Sequence, residues 1–398
     1  MADAPWLTIV GLGEDGPDGL PPASRAALEA AEVVMGAPRH LALLPEIAAE
    51  VIPWPVPFAE GIPLLLQQKP RRVVMLASGD PFWFGAGTSV AKHLAPGEWR
   101  ALPGVSTFAL AAAELGWPLE TTPCFGLHAA PLSRLKPHLA PGARAIVLLR
   151  DGAAVRALAD YLTEEGFGAS ALTILESLGG PRQRVTRAQA DALPQTDFAH
   201  PVCAAVEMAG GTALPLASGR PDAVFAHDGQ ITKRPVRALT LSALAPRPFE
   251  HLWDIGGGSG SIAIEWLLAH PTLTATSIEA DPERVARIAE NAARLGVDRL
   301  AVVTGRAPEA LAGLAPPDAV FIGGGLSAKL LETLEKILAS GTRIVANAVT
   351  LESEALLIGA QARLGGDLLR IDLSTPTEIG TKRGWKASFP ILQWSGVL

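Results

Sequence analysis

Cysteine is nearly absent: 398 residues contain two, Cys124 and Cys203, far apart and without metal-ligand spacing. Such isolated thiols read as small buried hydrophobes rather than a disulfide, a nucleophile or ligands of a metal. Long apolar runs are missing too, and none approaches the roughly 18 residues that a membrane span needs. The opening MADAPWLTIVGLG carries no basic segment ahead of its apolar stretch, which argues against a secretory leader. Positive charge is not in excess: 33 Lys and Arg stand against 40 Asp and Glu, a net charge of −7. An acidic balance argues against a nucleic-acid surface, though it leaves room for a local basic pocket. The expectation is a cytoplasmic protein with no metal and neither a membrane nor a nucleic acid as partner. The chain does have 48% hydrophobic and 18% charged residues, ample for sizeable cores and wrong for disorder. At roughly 150 residues per domain, its length suggests two or three domains.

Strand-like and helix-like segments alternate from Leu7 to about Glu207, the mark of α/β units. Met208–Gln230 then runs through Gly, Ala and Pro without a period, the best linker in the chain. A boundary near residues 210 to 220 divides the chain into 1–212 and 213–398. A second alternating series follows, with a helix at 236–244 and strands near 252–255, 273–278, 301–303, 319–322, 343–346 and 368–373. The last apolar segment, 387–394, is expected to be an edge strand. The fold class is α/β, ending in a Rossmann-like domain whose mostly parallel sheet has helices on both faces. Ligands of such sheets sit at the carboxyl ends of the strands.

One stretch is more telling than the rest. The strand ending at Ile255 runs into Gly256-Gly257-Gly258-Ser259-Gly260, and a helix begins at once. Glycines there let the backbone turn sharply and approach a ligand, and the helix start offers free N–H groups. The next strand ends in Glu279, placed to accept hydrogen bonds from a ribose. A dinucleotide fingerprint would need its third glycine at position 261, which is Ser261. The spacing G-x-G-x-G instead resembles S-adenosylmethionine (SAM)-dependent methyltransferases. Thr304–Pro308, with Ala307 among them, Gly323–Gly325 and Asn347–Thr350 follow later strands and form one rim. Ile231-Thr232-Lys233 is a candidate flap. Thr232, Gly256–Gly260, Glu279 and Ala307 are the expected cofactor contacts.

The first half holds a formal G-x-G-x-x-G at Gly11, Gly13 and Gly16, but Pro17, Pro21 and Pro22 keep the chain in a loop until about Ala23. No helix dipole then meets a phosphate there. Two further loops follow strands, Ser78-Gly79-Asp80-Pro81 and Pro103-Gly104-Val105-Ser106-Thr107. VGLGEDG, SGDPFWFG and LPGVSTFALAAAELGWP together resemble, in order and spacing, the tetrapyrrole methylases that build cobalamin, over about residues 5–207. ESLGGPRQRVTRA (Glu176–Ala188) is similar to the C5-methylating members. The second half, with ITKRPVRALTLSAL, DIGGGSGSIAIEW, GRAPEAL, FIGGG and NAVTLE, resembles their C15-methylating, decarboxylating partners. Two departures stand out: Ser106-Thr107 where the family has Ser-Ser, and Ala129-Ala130 after His128 where it has Gly-Arg.

The resemblance implies a second SAM site around Gly11, Gly13, Asp80, Ser106 and Thr107. It also implies a polycarboxylate tetrapyrrole substrate, methylated at C5 and C15 with loss of the ring C acetate as carbon dioxide. Family members usually assemble, so a homo-oligomer is expected. No side chain stands out as catalytic, because the tetrapyrrole carbon is itself the nucleophile. A polyanion on an acidic protein needs clustered cations: Lys382, Arg383 and Lys386 around Trp385 form one cluster, and Lys233, Arg234 and Arg237 another. His128 is a further substrate candidate. Three alternatives stay open: a nicotinamide-dependent dehydrogenase, an RNA or protein methyltransferase, and a non-catalytic tetrapyrrole-binding protein.

Overall fold

The structure is a computed structural model and describes residues 5–398. Its contacts group into two compact units. One runs up to Ala130 and resumes over Ala140–Thr212; the other takes Ala213–Leu398 and the short segment Pro131–Leu139.

The first unit contains two sheets. Leu7–Leu12 (β1), Val33–Gly36 (β2), Glu50–Pro53 (β3), Val73–Ser78 (β4) and Trp99–Leu102 (β5) form a sheet in the order β3-β2-β4-β1-β5, all of it parallel. Parallel strands are covered on both faces and so read as unbroken apolar runs, and every residue of β1 is buried. Gly11 pairs with Ala77 and Leu12 with Ser78, which brings the loops after β1 and β4 level with each other. Gly16–Gly19 makes only a single 3₁₀ turn, and the first α-helix opens at Pro22. The second sheet joins Cys124–Gly126 (β6), Arg144–Leu149 (β7), Ala171–Glu176 (β8), Arg184–Gln189 (β9) and Val202–Glu207 (β10) in the order β6-β7-β10-β8-β9. Here only β6 and β7 are parallel.

The second unit is one seven-stranded sheet. His251–Ile255 (β11), Thr274–Glu279 (β12), Ala301–Thr304 (β13), Ala319–Ile322 (β14) and Arg343–Ala348 (β15) run parallel. Asp367–Ile371 (β16) follows, then a separate hairpin of Ser374–Ile379 (β17) and Lys382–Ala387 (β18), and last Ile391–Val397 (β19). The order is β13-β12-β11-β14-β15-β19-β16, reversing direction between β11 and β14. Alternate residues feed two cores, one around Trp266 and Leu244 and the other around Trp394 and Leu330.

Three expectations need correction. The last strand is not the edge: β19 lies antiparallel between β15 and β16, and its Trp394 is fully buried. Nor is 213–230 a free linker. Phe225 enters the Trp266 core and Arg220 is buried, so this Gly- and Pro-rich segment is a packed strap of the second unit. Cys203 is buried as expected, but Cys124 is only half-buried; loss of hydration pushes their thiols up to about 12 and about 11.

Candidate functional sites

In the second unit, a cavity of about 530 Å³ lies at the carboxyl ends of β11 and β14, where the strand order reverses. Open α/β sheets bind ligands at such switch points. The glycine loop forms its floor, and each glycine has its own reason to be there. A Cβ on Gly256 would sit 2.6 Å from the Gly324 backbone, so the loops after β11 and β14 can touch only because position 256 has no side chain. Gly257 has its own constraint, since a Cβ there would lie 2.1 Å from Ser277 Oγ. Gly258 is not crowded, since a Cβ there would meet only Gln230 O, at 3.5 Å, but it holds φ +60°, a left-handed conformation that other residues resist. Gly260 does not line the cavity; it caps the helix Ser261–Ala269 and would drive a Cβ to 2.8 Å from Ile288. Ser259 lines the cavity, is buried, and its hydroxyl has no protein partner.

Glu279 ends β12 and organises this floor. Its Oε2 accepts the Gly258 N–H at 2.9 Å, and its Oε1 accepts the N–H groups of Ala280 and Asp281 at 2.8 and 3.0 Å. A carboxylate has about four acceptor positions, so one on Oε2 stays open. Beneath the loop, Asp254 is completely buried with only the Ser277 hydroxyl (3.3 Å) and the Ala263 N–H to help it. Desolvation, partly offset by these bonds, pushes its carboxyl up to about 7. Thr232, Lys233 and Ala307 line the cavity, as do Gly323–Gly325 and Asn347.

Arg284, which the sequence reading passed over, lines it too and pairs with Asp228 of the strap at 3.0 Å. The signal was available: Arg284 lies in the first turn after Asp281, which caps its helix directly beyond Glu279.

Arg237 was expected to meet substrate and does not. It is fully buried, with Nε on Glu265 Oε1 at 2.7 Å and Nη2 on Asp222 Oδ1 at 2.9 Å. Its remaining bonds go to the carbonyls of Thr232 and Arg220, and its guanidinium stacks on Phe225. Glu265 also accepts the N–H groups of Gly219 and Arg220 at 2.7 and 2.9 Å. Arg237 therefore fastens the strap, and with it the carbonyl of Thr232, to the helix behind the glycine loop. Lys382, Arg383 and Lys386 lie on the exposed β17–β18 hairpin and are not part of the cavity wall.

The first unit has its own cavity, of about 420 Å³, over the carboxyl ends of β1 and β4. Gly79 donates to Leu12 O and Gly104 to Gly79 O, both at 3.0 Å, while a Cβ on Gly11 would lie 1.8 Å from Gly79 O. The three motif loops thus meet backbone to backbone. Gly13, Asp80, Ser106, Thr107 and His128 line the cavity; Gly11 supports it from below. The Ser106 hydroxyl caps the helix Thr107–Leu115 by accepting the Ala109 N–H at 3.1 Å. Asp80 Oδ1 accepts the Phe82 N–H at 2.8 Å and so shapes the turn it stands in. Glu14, Arg39, His40, Arg150 and His200 also line this cavity, and none was singled out from sequence.

Folds and clefts together define a methyltransferase built from two α/β units. Residues 6–194 match the family model described as Tetrapyrrole (Corrin/Porphyrin) Methylases, and residues 223–398 the one described as Precorrin methyltransferase domain. A Sinorhizobium sp protein named precorrin-6Y C(5,15)-methyltransferase [decarboxylating] is 51% identical, the alignment covering 98% of this chain and 96% of that protein. A Mycobacterium tuberculosis protein of the same name is 41% identical over 98% of this chain and 99% of its own. Among solved structures, the C-terminal domain of precorrin-6Y C5,15-methyltransferase from Rhodobacter capsulatus is 56% identical, covering 46% of this chain and all (100%) of that one, with a TM-score of 0.45. The chain belongs to the precorrin-6Y C(5,15)-methyltransferase (decarboxylating) family, and the resemblance read from its motifs holds.

Proposed function

We propose that the chain methylates a precorrin twice with SAM, at C5 in the first unit and at C15 in the second, and removes the ring C acetate as carbon dioxide in the second. The observation that carries this reading is a pair of separate clefts in one chain, each at the carboxyl ends of a parallel sheet. Family membership supplies the substrate class.

The residues of the second cleft suit SAM. The buried Ser259 hydroxyl lacks a partner, Gly258 puts no side chain over the floor, and Glu279 keeps one acceptor position for a ribose hydroxyl. Bound SAM supplies a methyl group already activated on a sulfonium. The protein's work is alignment, and a well-oriented approach is worth roughly 7–11 kcal/mol. Thr232, Gly256–Ser259, Glu279 and Ala307 hold the cofactor in this reading, and Gly260 supports them by starting the helix. In the first cleft that part falls to Gly13, Asp80, Ser106 and Thr107, with Gly11 bracing the loops.

Lys233 at the second cavity and the hairpin cations Lys382, Arg383 and Lys386 are proposed to meet substrate carboxylates, with His128 in the first cleft. Incubating the full chain with SAM and the precorrin, and following product mass, tests the whole. Two methyl gains with one carbon dioxide loss are expected; a single methyl gain, or none, refutes the two-site reading.

A further inference from the structure

The first cleft has a wall that its three motif loops do not explain. After β2 the chain turns through Ala37-Pro38 and brings Arg39 and His40 to the cavity. Arg39 Nη1 donates to Glu14 Oε1 at 2.5 Å and Nη2 to Ser78 Oγ. Arg182 reaches the other Glu14 oxygen at 3.3 Å, and Glu14 is held there by close packing against Gly180. One carboxylate thus answers two guanidiniums, and the cluster keeps a surplus positive charge. A guanidinium has five N–H donors, of which Arg39 uses two on these partners.

His40 adds a second, independent sign. It is 5% exposed, its Nε2 lies 3.1 Å from Ser78 Oγ, and its Nδ1 is buried with no partner. Ser78 Oγ already accepts a hydrogen from Arg39, which can only donate. The serine's own hydrogen can then go to Nε2, which leaves Nδ1 carrying a hydrogen with nothing to receive it. Desolvation, reinforced by the Arg39 charge, pushes the imidazole down to about 3, so the ring is neutral at ordinary pH. Unused donors from a guanidinium and a buried imidazole on one cavity wall suit a planar anion.

We infer that Arg39 and His40 form an anion subsite of the first cleft that takes one carboxylate side chain of the tetrapyrrole, with Glu14 and Ser78 fixing the guanidinium. This rests on the assignment of C5 methylation to the first unit. Glu14 keeps Arg39 ordered before substrate arrives, which lowers the entropy cost of capturing a flexible acetate or propionate arm.

The test uses the full chain, methyl-labelled SAM and the precorrin, with the C5 methyl counted separately by carbon NMR. Arg39→Met should raise the tetrapyrrole KM for C5 methylation by roughly ten- to hundredfold, as loss of a charge-assisted bond requires, with kcat and the SAM KM within about twofold. Arg39→Lys, which keeps the charge and loses the fork, should give a smaller rise in the same parameter. If Arg39→Met fails to fold, Arg39→Lys decides alone: a raised tetrapyrrole KM supports the subsite and an unchanged one overturns it. A purely structural role would lower kcat and raise the SAM KM together, which also overturns it. A wild-type chain that adds no C5 methyl refutes the functional reading itself. Wild-type turnover with unshifted KM in the variants refutes the subsite alone.

Discussion

Glu279→Ala separates two roles that the structure gives one carboxylate. The side chain is 7% exposed and accepts three backbone N–H groups, from Gly258, Ala280 and Asp281. Hydrogen bonds to a charged acceptor contribute about 1.5–3 kcal/mol each. The Ala280 and Asp281 groups lie at the start of a helix, where water can replace the carboxylate in part, so the net cost to folding should be about 1–3 kcal/mol. For a unit of this size that lowers Tm by roughly 2–10 °C. SAM binding loses more, because the ribose acceptor goes and the Gly258 turn loses its anchor. A combined loss of about 3–4 kcal/mol weakens affinity by roughly a hundred- to a thousandfold.

Glu279→Gln is the sharper comparison. Its amide has one oxygen, and its NH2 group must face either the Gly258 N–H or the pair from Ala280 and Asp281, donor against donor. It should therefore lower Tm and SAM affinity nearly as much as Glu279→Ala. Titration calorimetry on the full chain is the assay, with two SAM sites expected in the wild type and one in either variant, and product mass should show the C15 methyl and the carbon dioxide loss gone but the C5 methyl kept. A glutamine variant with unchanged Tm and two intact sites would refute the argument that Glu279 builds the loop as well as binding the cofactor.

Asp80→Ala removes the acceptor that shapes the Asp80–Phe82 turn, and should lower C5 methylation at least about tenfold while sparing C15 methylation, as resolved by carbon NMR. Loss of both methylations in a folded variant would refute independent clefts. Gly256→Ala combines φ +75° with a Cβ 2.6 Å from Gly324, and should cost about 2–4 kcal/mol by denaturant titration; a loss under 1 kcal/mol counts against the loop contact. Asp254→Asn tests the buried carboxyl, whose value of about 7 lies above the unfolded 3.8. The native state holds the proton more tightly, so its contribution is present below about pH 4 and is lost as pH rises through 7, up to about 4 kcal/mol in all. The asparagine variant should flatten the decline in Tm over that range; an equally steep decline would mean that Asp254 does not cause it.

What was legible from sequence follows from what each kind of residue can do alone. Parallel strands must be largely apolar on both faces, so β1, β4 and β14 announce themselves as apolar runs, and β11 does so over 252–255 despite Asp254. The glycine loop and Glu279 are local in sequence, and the turn needs those residues wherever the rest of the chain goes. β19 misled because chain order says nothing about sheet order: its antiparallel pairing with both β15 and β16 is non-local. The strap at 213–230 has no period because side chains elsewhere, Glu265 and Asn291, satisfy its backbone.

Arg237 shows how a residue type can outweigh its position in a sequence reading. In LysArgProValArg it reads as one more cation beside a cofactor loop. Helical spacing tells a different story: Arg237, Thr240, Leu241 and Leu244 fall on one face, and all four are buried. An arginine on a buried helix face requires a buried acid, and the only carboxylate in the apolar helix Ser261–Ala269 is Glu265. That pairing was available from pattern alone. The Arg39–His40 wall was not, because nothing about Pro38-Arg39-His40 differs from a surface turn until the parallel sheet brings Glu14 and Ser78 alongside it. In a parallel α/β unit every loop that leaves a strand at its carboxyl end is part of the ligand's surroundings, whether or not it carries a motif. The loop after β2 had to be counted for that reason, and its chemistry then follows from the spare guanidinium donors of Arg39 and the unpartnered Nδ1 of His40.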